Sequence, residues 1–143
     1  MNPADPFPAR RLGVLTCMDA RIDVLAALGL ELGDAIVLRN AGGRVTDDVL
    51  RSLAVATHKL DVESVVVMQH TQCGVLGVTD DDLQTLTGAD LDFFPIDDHA
   101  AALRADVELL ATKPYLERVQ GISGFVYDVV SGEVEDVVRW QRP

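Results

Sequence analysis

The sequence has few basic residues, few cysteines and no long apolar run, and each of these absences argues against a class of protein. It holds 12 Lys and Arg residues against 23 Asp and Glu, a net charge of −11 at pH 7. This argues against nucleic-acid binding, which needs a basic surface. No apolar run approaches the roughly 20 residues of a membrane span, and the proline-rich start at 1–8 lacks the apolar stretch of a secretory signal. We therefore expect a cytoplasmic protein that binds neither nucleic acid nor a membrane.

Cysteine is also scarce, with only two in the chain beside three histidines. Cys17 begins the segment Cys-Met-Asp-Ala-Arg, and Cys73 follows His70 in the segment His-Thr-Gln-Cys-Gly. In a reducing compartment, cysteines this far apart are more often ligands than a disulfide. Two thiolates and an imidazole form a zinc ligand set that leaves the fourth position open, as in catalytic sites. Taken singly, either cysteine could instead be a buried apolar thiol.

Short apolar runs alternate with segments of helical periodicity along the chain. The runs predict strands at 12–16, 35–38, 64–68, 125–129 and 134–140. The third run is continuously apolar, as in a parallel strand buried on both faces, and the last two form a hairpin around Ser131-Gly132. We therefore expect one α/β domain over 1–143, irregular at 1–10. Its sheet is mainly parallel, with helices on both faces and an antiparallel edge strand.

The candidate ligands fall at equivalent places in this predicted sheet. Cys17 and His70 stand at the carboxyl ends of two strands, and Cys73 lies just beyond the second. Sheets of this kind bind ligands beyond the carboxyl ends of their strands. Two motifs more than 50 residues apart are therefore expected to meet in one crevice.

Asp19 and Arg21 are the candidate catalytic pair. Zinc held by two thiolates and a neutral imidazole carries no net charge, so its water is less acidic than at a three-histidine site. Asp19 would accept a hydrogen bond from the zinc-bound hydroxide and orient it, while Arg21 keeps Asp19 ionised. If Asp19 left Arg21, it could bind zinc as a conditional fourth ligand, and activity would then rise at high pH. An ordinary surface ion pair is the alternative.

Three segments together resemble a β-class carbonic anhydrase. They are Cys-x-Asp-x-Arg after the first strand, Arg-Asn-Ala-Gly-Gly at 39–43 after the second, and His-Thr-x-Cys-Gly after the third. Their order and spacing agree over about residues 12–138. The resemblance implies one Zn²⁺ per chain on Cys17, His70 and Cys73, with Asp19 and Arg21 as the catalytic dyad. It also implies the strand order 2-1-3-4 with an antiparallel fifth strand, and a homodimer or a multiple of it.

The reaction implied by the resemblance is the reversible hydration of carbon dioxide to bicarbonate and a proton by zinc-bound hydroxide. The segment between Gly77 and Asp98 is short, as in the compact branch of the family. That branch includes carbonyl sulfide hydrolases, so hydrolysis of carbonyl sulfide or carbon disulfide is the first alternative. A non-catalytic zinc-binding dimer closed by Asp19 is the second. Family members usually carry an N-terminal helical arm, which is either absent here or lies upstream of Met1.

Five further residues are candidates for bracing the site or lining the substrate pocket. Four belong to the turn after the second strand and one follows the second cysteine: Arg39, Asn40, Gly42, Gly43 and Gly74. The two turn glycines are expected there mainly for their backbone angles. His99, expected at the surface, could move protons because of its titration range, but the sequence does not place it near the metal.

Overall fold

The computed structural model describes residues 5–143, so the first four residues of the predicted irregular segment lie outside the description. The five strands of the described part are β1 (Leu12–Cys17), β2 (Ala35–Asn40), β3 (Ser64–His70), β4 (Gly121–Tyr127) and β5 (Val134–Gln141). Its α-helices are α1 (Val24–Leu28), α2 (Asp47–Lys59), α3 (Asp80–Thr87) and α4 (His99–Thr112), with short 3-10 turns at Ala41–Gly43 and Pro114–Leu116. None of these helices is long and apolar enough to cross a membrane.

The strands form one sheet in the order β2-β1-β3-β4-β5. The pairs β1–β2, β1–β3 and β3–β4 are parallel, and β4–β5 is antiparallel. This confirms the predicted order 2-1-3-4 with an antiparallel edge strand. The parallel register aligns Cys17 with Asn40, and Thr16 with Met68. The carboxyl ends of β1, β2 and β3 therefore lie side by side at one edge of the sheet.

Each face of the sheet carries its own hydrophobic core, because side chains alternate between faces along a strand. On β3, Val65 and Val67 pack in a cluster with residues of α2 and α4, such as Leu103. Val66 and Met68 pack in a second cluster, which also holds a residue of α1. β3 is buried on both sides, which explains why its sequence is continuously apolar.

The segment after β3 is short and is tied back to the sheet region. Thr79 begins α3 with a capping box, in which its hydroxyl accepts from the Asp82 N–H and the Asp82 carboxylate accepts from the Thr79 N–H. Main-chain hydrogen bonds join Ile96 to Val75 and Gly77, each at 2.8 Å. Residues 75–98 therefore form a compact connection that begins and ends beside the carboxyl edge of the sheet.

Candidate metal centre

Cys17, His70 and Cys73 meet at the carboxyl edge of the sheet. One potential ligand atom from each of them lies within 4.8 Å of the others. All three residues are buried, and His70 is fully buried. Cys17 and His70 are the last residues of β1 and β3. The parallel topology thus brings together the residues that the sequence marked as candidate ligands.

The imidazole of His70 is oriented by its own neighbour in the chain. Its Nδ1 lies 2.7 Å from the Thr71 carbonyl oxygen, so Nδ1 carries the hydrogen and donates it. Nε2 is left with a lone pair, is buried, and has no hydrogen-bond partner among the described residues. A buried polar atom without a partner is costly, and a cation at this point would satisfy it. With two thiol sulfurs beside it, the donor set fits Zn²⁺.

The pKa values of the two cysteines shift in opposite directions. A hydrogen bond with Cys73 is the largest cause that lowers the pKa of Cys17 to about 4 despite its burial. The Cys17 thiolate in turn raises the pKa of Cys73. Burial is the largest influence on the pKa of His70 and lowers it, but Cys17, the Thr71 carbonyl and the charge of Asp19 together outweigh burial and raise that pKa.

The turn after β2 closes over the sulfur of Cys17. The Gly42 N–H donates to Cys17 Sγ at 3.3 Å, and both turn glycines have left-handed backbones, with φ of 84° at Gly42 and 63° at Gly43. A Cβ on Gly43 would lie 2.9 Å from the carbonyl carbon of Thr16. A Cβ on Gly42 would lie 2.8 Å from Val75. Only glycine allows both the backbone angles and the close approach to β1.

Arg39 and Asn40, the last two residues of β2, brace the region around the turn. The Asn40 side chain accepts from the Arg44 N–H at 2.9 Å and donates to the Arg44 carbonyl at 2.8 Å. The Arg39 guanidinium donates to the carbonyls of Cys17, Ile22 and Asp19, the last at 2.6 Å. Both residues therefore fix main-chain segments next to the cluster.

Gly74 differs from the other four bracing candidates. It follows Cys73 directly, but its φ is not positive and a Cβ on it would meet nothing within 4 Å. No backbone angle or close approach requires a glycine at this position.

Asp19 and Arg21 form a close ion pair beside the cluster. Arg21 Nη2 lies 2.7 Å from Asp19 Oδ2, Arg21 Nε lies 3.0 Å from Asp19 Oδ1, and the Arg21 main-chain N–H also donates to Oδ1. Hydrogen bonds from the Arg21 side chain and main chain hold the pKa of Asp19 well below its usual range. Asp19 Oδ2 is also 3.7 Å from His70 Nε2. An ionised carboxylate thus stands at the border of the candidate metal cluster.

Several residues of this region carried no signal in the sequence. Gln72, at the variable position of the His-Thr-x-Cys-Gly segment, contacts Arg21 through both its side chain and its main chain. Arg44 forms an almost fully buried ion pair with Asp106 of α4, 62 residues further along the chain. No local sequence pattern predicts an ion pair between residues so far apart in the chain.

His99 corrects one expectation of the sequence analysis. It was expected at the surface, but it is partly buried, with Nδ1 2.7 Å from Oε1 of the fully buried Gln69. Burial is the first cause that lowers the pKa of His99. His99 opens α4, and packing of this helix on the sheet draws the ring inward. His58 is exposed, and its Nε2 lies 2.8 Å from the Tyr115 carbonyl oxygen.

Comparisons with known proteins agree on one family. A family model described as carbonic anhydrase matches residues 12–89. Beta-carbonic anhydrase 1 of Mycobacterium tuberculosis is 37% identical over 142 residues, which cover 95% of this chain and 87% of that protein. Carbon disulfide hydrolase of Acidithiobacillus thiooxidans is 32% identical over 151 residues, covering 87% of this chain and 76% of that protein. The crystal structure of a Streptococcus mutans carbonic anhydrase superimposes with a TM-score of 0.83 at 42% identity, over 92% of this chain and 84% of that one.

Proposed function

The chain belongs to the β-carbonic anhydrase family, and we propose that it catalyses the reversible hydration of carbon dioxide to bicarbonate and a proton, with one zinc ion per chain. The observation that carries the proposal is the position of Asp19. Its carboxylate is paired with Arg21 and reaches within 3.7 Å of His70 Nε2. A candidate metal cluster with an ionised acceptor at its border is what hydration of a small neutral molecule requires.

Zinc would be held by the sulfurs of Cys17 and Cys73 and by Nε2 of His70. Bound there, the ion would supply Lewis acidity and lower the pKa of a coordinated water. The neighbouring residues would fix its ligands: the Thr71 carbonyl orients the imidazole, and the Gly42 N–H donates to the Cys17 sulfur. Such partners outside the ligand set orient the ligands and adjust their basicity.

Asp19 and Arg21 would act as the catalytic dyad. Asp19 is ionised because Arg21 donates to both of its oxygens, so it can only accept hydrogen bonds. An O–H group at the border of the cluster would donate to Asp19 and be oriented by it. The substrate is uncharged, so the net charge of −11 does not repel it. Pairing with Arg21 also favours the open arrangement over the non-catalytic form closed by Asp19.

A second candidate function is hydrolysis of carbon disulfide or carbonyl sulfide. It is favoured by the carbon disulfide hydrolases among the relatives, one of them 32% identical over 87% of this chain. These substrates are also small, linear and neutral, with an electrophilic central carbon.

One zinc-loaded preparation tests both functions. Stopped-flow measurement of carbon dioxide hydration is run beside an assay of sulfide release from carbon disulfide and carbonyl sulfide. We expect rapid hydration without sulfide release. Sulfide release without hydration would replace the first proposal by the second. Absence of both activities at every pH, with one zinc bound per chain, would favour the non-catalytic form.

We further propose that the chain works in the cytoplasm as a homodimer or a multiple of it. Support comes from the apolar side chains exposed near the edge strand β2 and the site, namely Met18, Leu32 and Val37. Sedimentation velocity should give at least twice the 15.5 kDa mass of one chain. A single species at the monomer mass would contradict this assembly.

A further inference from the structure

Within residues 5–143, Gln72 is the one residue that holds the side of the Arg21 guanidinium facing away from Asp19. Gln72 Oε1 lies 3.3 Å from Arg21 Nη1, and the Gln72 main-chain oxygen lies 2.9 Å from Arg21 Nη2. The Asp19 carboxylate accepts hydrogen bonds from Arg21 Nε and from Arg21 Nη2. All three guanidinium nitrogens are therefore bonded, and Arg21 is clamped between Asp19 and Gln72.

Gln72 makes these contacts from an unfavourable backbone conformation. Its φ is 55°, in the left-handed region that side chains other than glycine seldom adopt. Such a conformation persists only where its surroundings enforce it, and it often occurs at functional sites. Here it belongs to the residue whose carbonyl accepts from Arg21, immediately before the candidate ligand Cys73.

Arg21 needs this support because its side chain is 47% exposed. A long exposed side chain must give up rotamer freedom to stay in one geometry. Asp19 Oδ2, which Arg21 binds, is only 3.7 Å from His70 Nε2. Asp19 would thus have two positive partners within reach, the guanidinium and a cation held by the candidate ligands. The share of time that it spends on each depends on how firmly Arg21 is held.

We propose that Gln72 is a positioning residue: it holds Arg21 against Asp19 and thereby keeps Asp19 from taking the fourth position on the metal. Gln72 acts through Arg21 and contributes no group to the chemistry. The inference rests on the proposed zinc site and reaction, and it adds the residue that biases the site towards its open form.

The test compares zinc-loaded wild-type protein with Gln72→Met and Gln72→Asn. Methionine keeps the length of the side chain and removes the amide oxygen. Asparagine tolerates the left-handed backbone but is one methylene too short for Arg21. Gln120→Met is the matched control, because Gln120 is another exposed glutamine, bonded to the Arg118 carbonyl at the opposite end of the sheet. The readout is solvent exchange of the Arg21 Nε–H by NMR, which needs no substrate.

In both Gln72 variants, the Arg21 Nε–H should exchange with solvent about threefold faster than in wild type. A change of this size corresponds to the contribution of one exposed hydrogen bond. The Gln120 variant should match wild type. An unchanged rate in either Gln72 variant, or the same acceleration in the control, would overturn the proposal and leave Gln72 as an ordinary turn residue.

The pH profile of hydration gives a second readout that a merely structural role would not move. If Asp19 competes with hydroxide for the metal, a threefold stronger tendency of Asp19 to bind the metal must be offset by a threefold higher hydroxide concentration. The alkaline rise should then shift upward by about half a pH unit, and activity at high pH should be retained. A loss that is uniform across pH would contradict the positioning role. Absence of hydration in wild type would instead refute the proposed function, and the exchange measurement would still decide the role of Gln72.

Discussion

At the scale of single residues, the candidate site depends on a few atoms with defined partners. His70 Nε2 is free for a metal because Nδ1 is bound to the Thr71 carbonyl. Asp19 is ionised because Arg21 donates to it three times. Each property follows from local geometry.

The first prediction concerns the carboxylate of Asp19. Asp19→Asn keeps the size of the side chain but removes the charge and turns one oxygen into a donor, so kcat/KM for hydration should fall by about 100-fold. Zinc content should stay at one per chain, because none of the three candidate ligands is changed. Asp90→Asn, in an exposed loop, is the control and should match wild type. Loss of zinc together with activity would show that Asp19 supports the metal rather than the chemistry.

The second prediction separates close packing from backbone angle at a glycine. Gly43 and Gly29 have nearly the same φ, 63° and 66°, but a Cβ meets the main chain at 2.9 Å on Gly43 and nothing within 4 Å on Gly29. Gly29→Ala should cost only the backbone term, about 1 kcal/mol. Gly43→Ala should cost about 2 kcal/mol more and reduce zinc retention, as measured by urea denaturation and metal analysis. Equal costs for the two variants would show that the contact with β1 is unimportant.

At the scale of elements, the buried ion pair Arg44–Asp106 joins the turn after β2 to helix α4. Arg44 Nε lies 2.8 Å from Asp106 Oδ2, and Asp106 also accepts from the Val45 N–H. Arg44 Nη1 donates to the carbonyls of Phe94 and Pro95. One guanidinium thus ties together the glycine turn, the segment before α4 and α4 itself.

The third prediction is that this pair is far more costly to break than to replace. Arg44→Met leaves a buried carboxylate uncompensated and should destabilise the fold by about 3–5 kcal/mol. Asp106→Leu should cost a similar amount by stranding the guanidinium. The double variant should be more stable than the sum of the two changes implies, because no buried charge remains. Urea denaturation of all four proteins measures this cycle, and additive costs would contradict a direct coupling.

The fourth prediction concerns the hairpin between β4 and β5. Asp128 Oδ1 accepts from the N–H groups of Val130 and Ser131, and these hydrogen bonds lower the pKa of Asp128. Because the folded pKa lies below the unfolded value, the stabilisation is complete above the ordinary Asp pKa of about 4 and is lost as pH falls through the folded pKa. Asp128→Asn should therefore lower the Tm at pH 7, and the gap to wild type should narrow in acid.

Thermal melts from pH 7 down to pH 2.5 test this hairpin prediction. Glu135→Gln, an exposed carboxylate on the neighbouring strand β5, serves as the control and should show no such convergence. A Tm gap for Asp128→Asn that is constant over the whole range would contradict the role of the ionised carboxylate.

At the scale of the whole molecule, a metal would join elements that the chain keeps far apart. Its candidate ligands come from the end of β1 and from the end of β3 and the loop that follows. A cation there would stabilise the fold by mass action, since the unfolded chain does not hold the ligands together.

The fifth prediction follows from this linkage. Removal of zinc with a chelator should abolish hydration and lower the Tm by about 10 °C relative to protein with zinc at a thousand times its dissociation constant. Added zinc should restore both. Magnesium should restore neither, because it prefers oxygen ligands in octahedral geometry. An unchanged Tm after verified removal of the metal would contradict coupling between the site and the fold.

Much of the fold could be predicted because its signals are local. The apolar run at 64–68 predicts a strand buried on both faces, and the alternation of strands with helices predicts a parallel sheet. Parallel strands share one carboxyl edge, so Cys17 and His70 were expected to lie close together, and the structure does bring them together. His99 was misplaced, because its burial depends on how α4 packs against Gln69, which no local pattern records.

Residue types and their spacing along the chain were enough to indicate the α/β class, the family resemblance and the candidate zinc ligands, and the resemblance implied the strand order. The atomic contacts within residues 5–143 came from the folded structure alone: the free lone pair of His70 Nε2, the contacts of Gln72 with Arg21, and the buried ion pair of Arg44 with Asp106. The difference lies in the distance along the chain over which each kind of interaction acts. Periodicity and strand ends follow from neighbours in the chain, whereas hydrogen bonds and ion pairs depend on rotamers and on segments that meet only in the folded sheet.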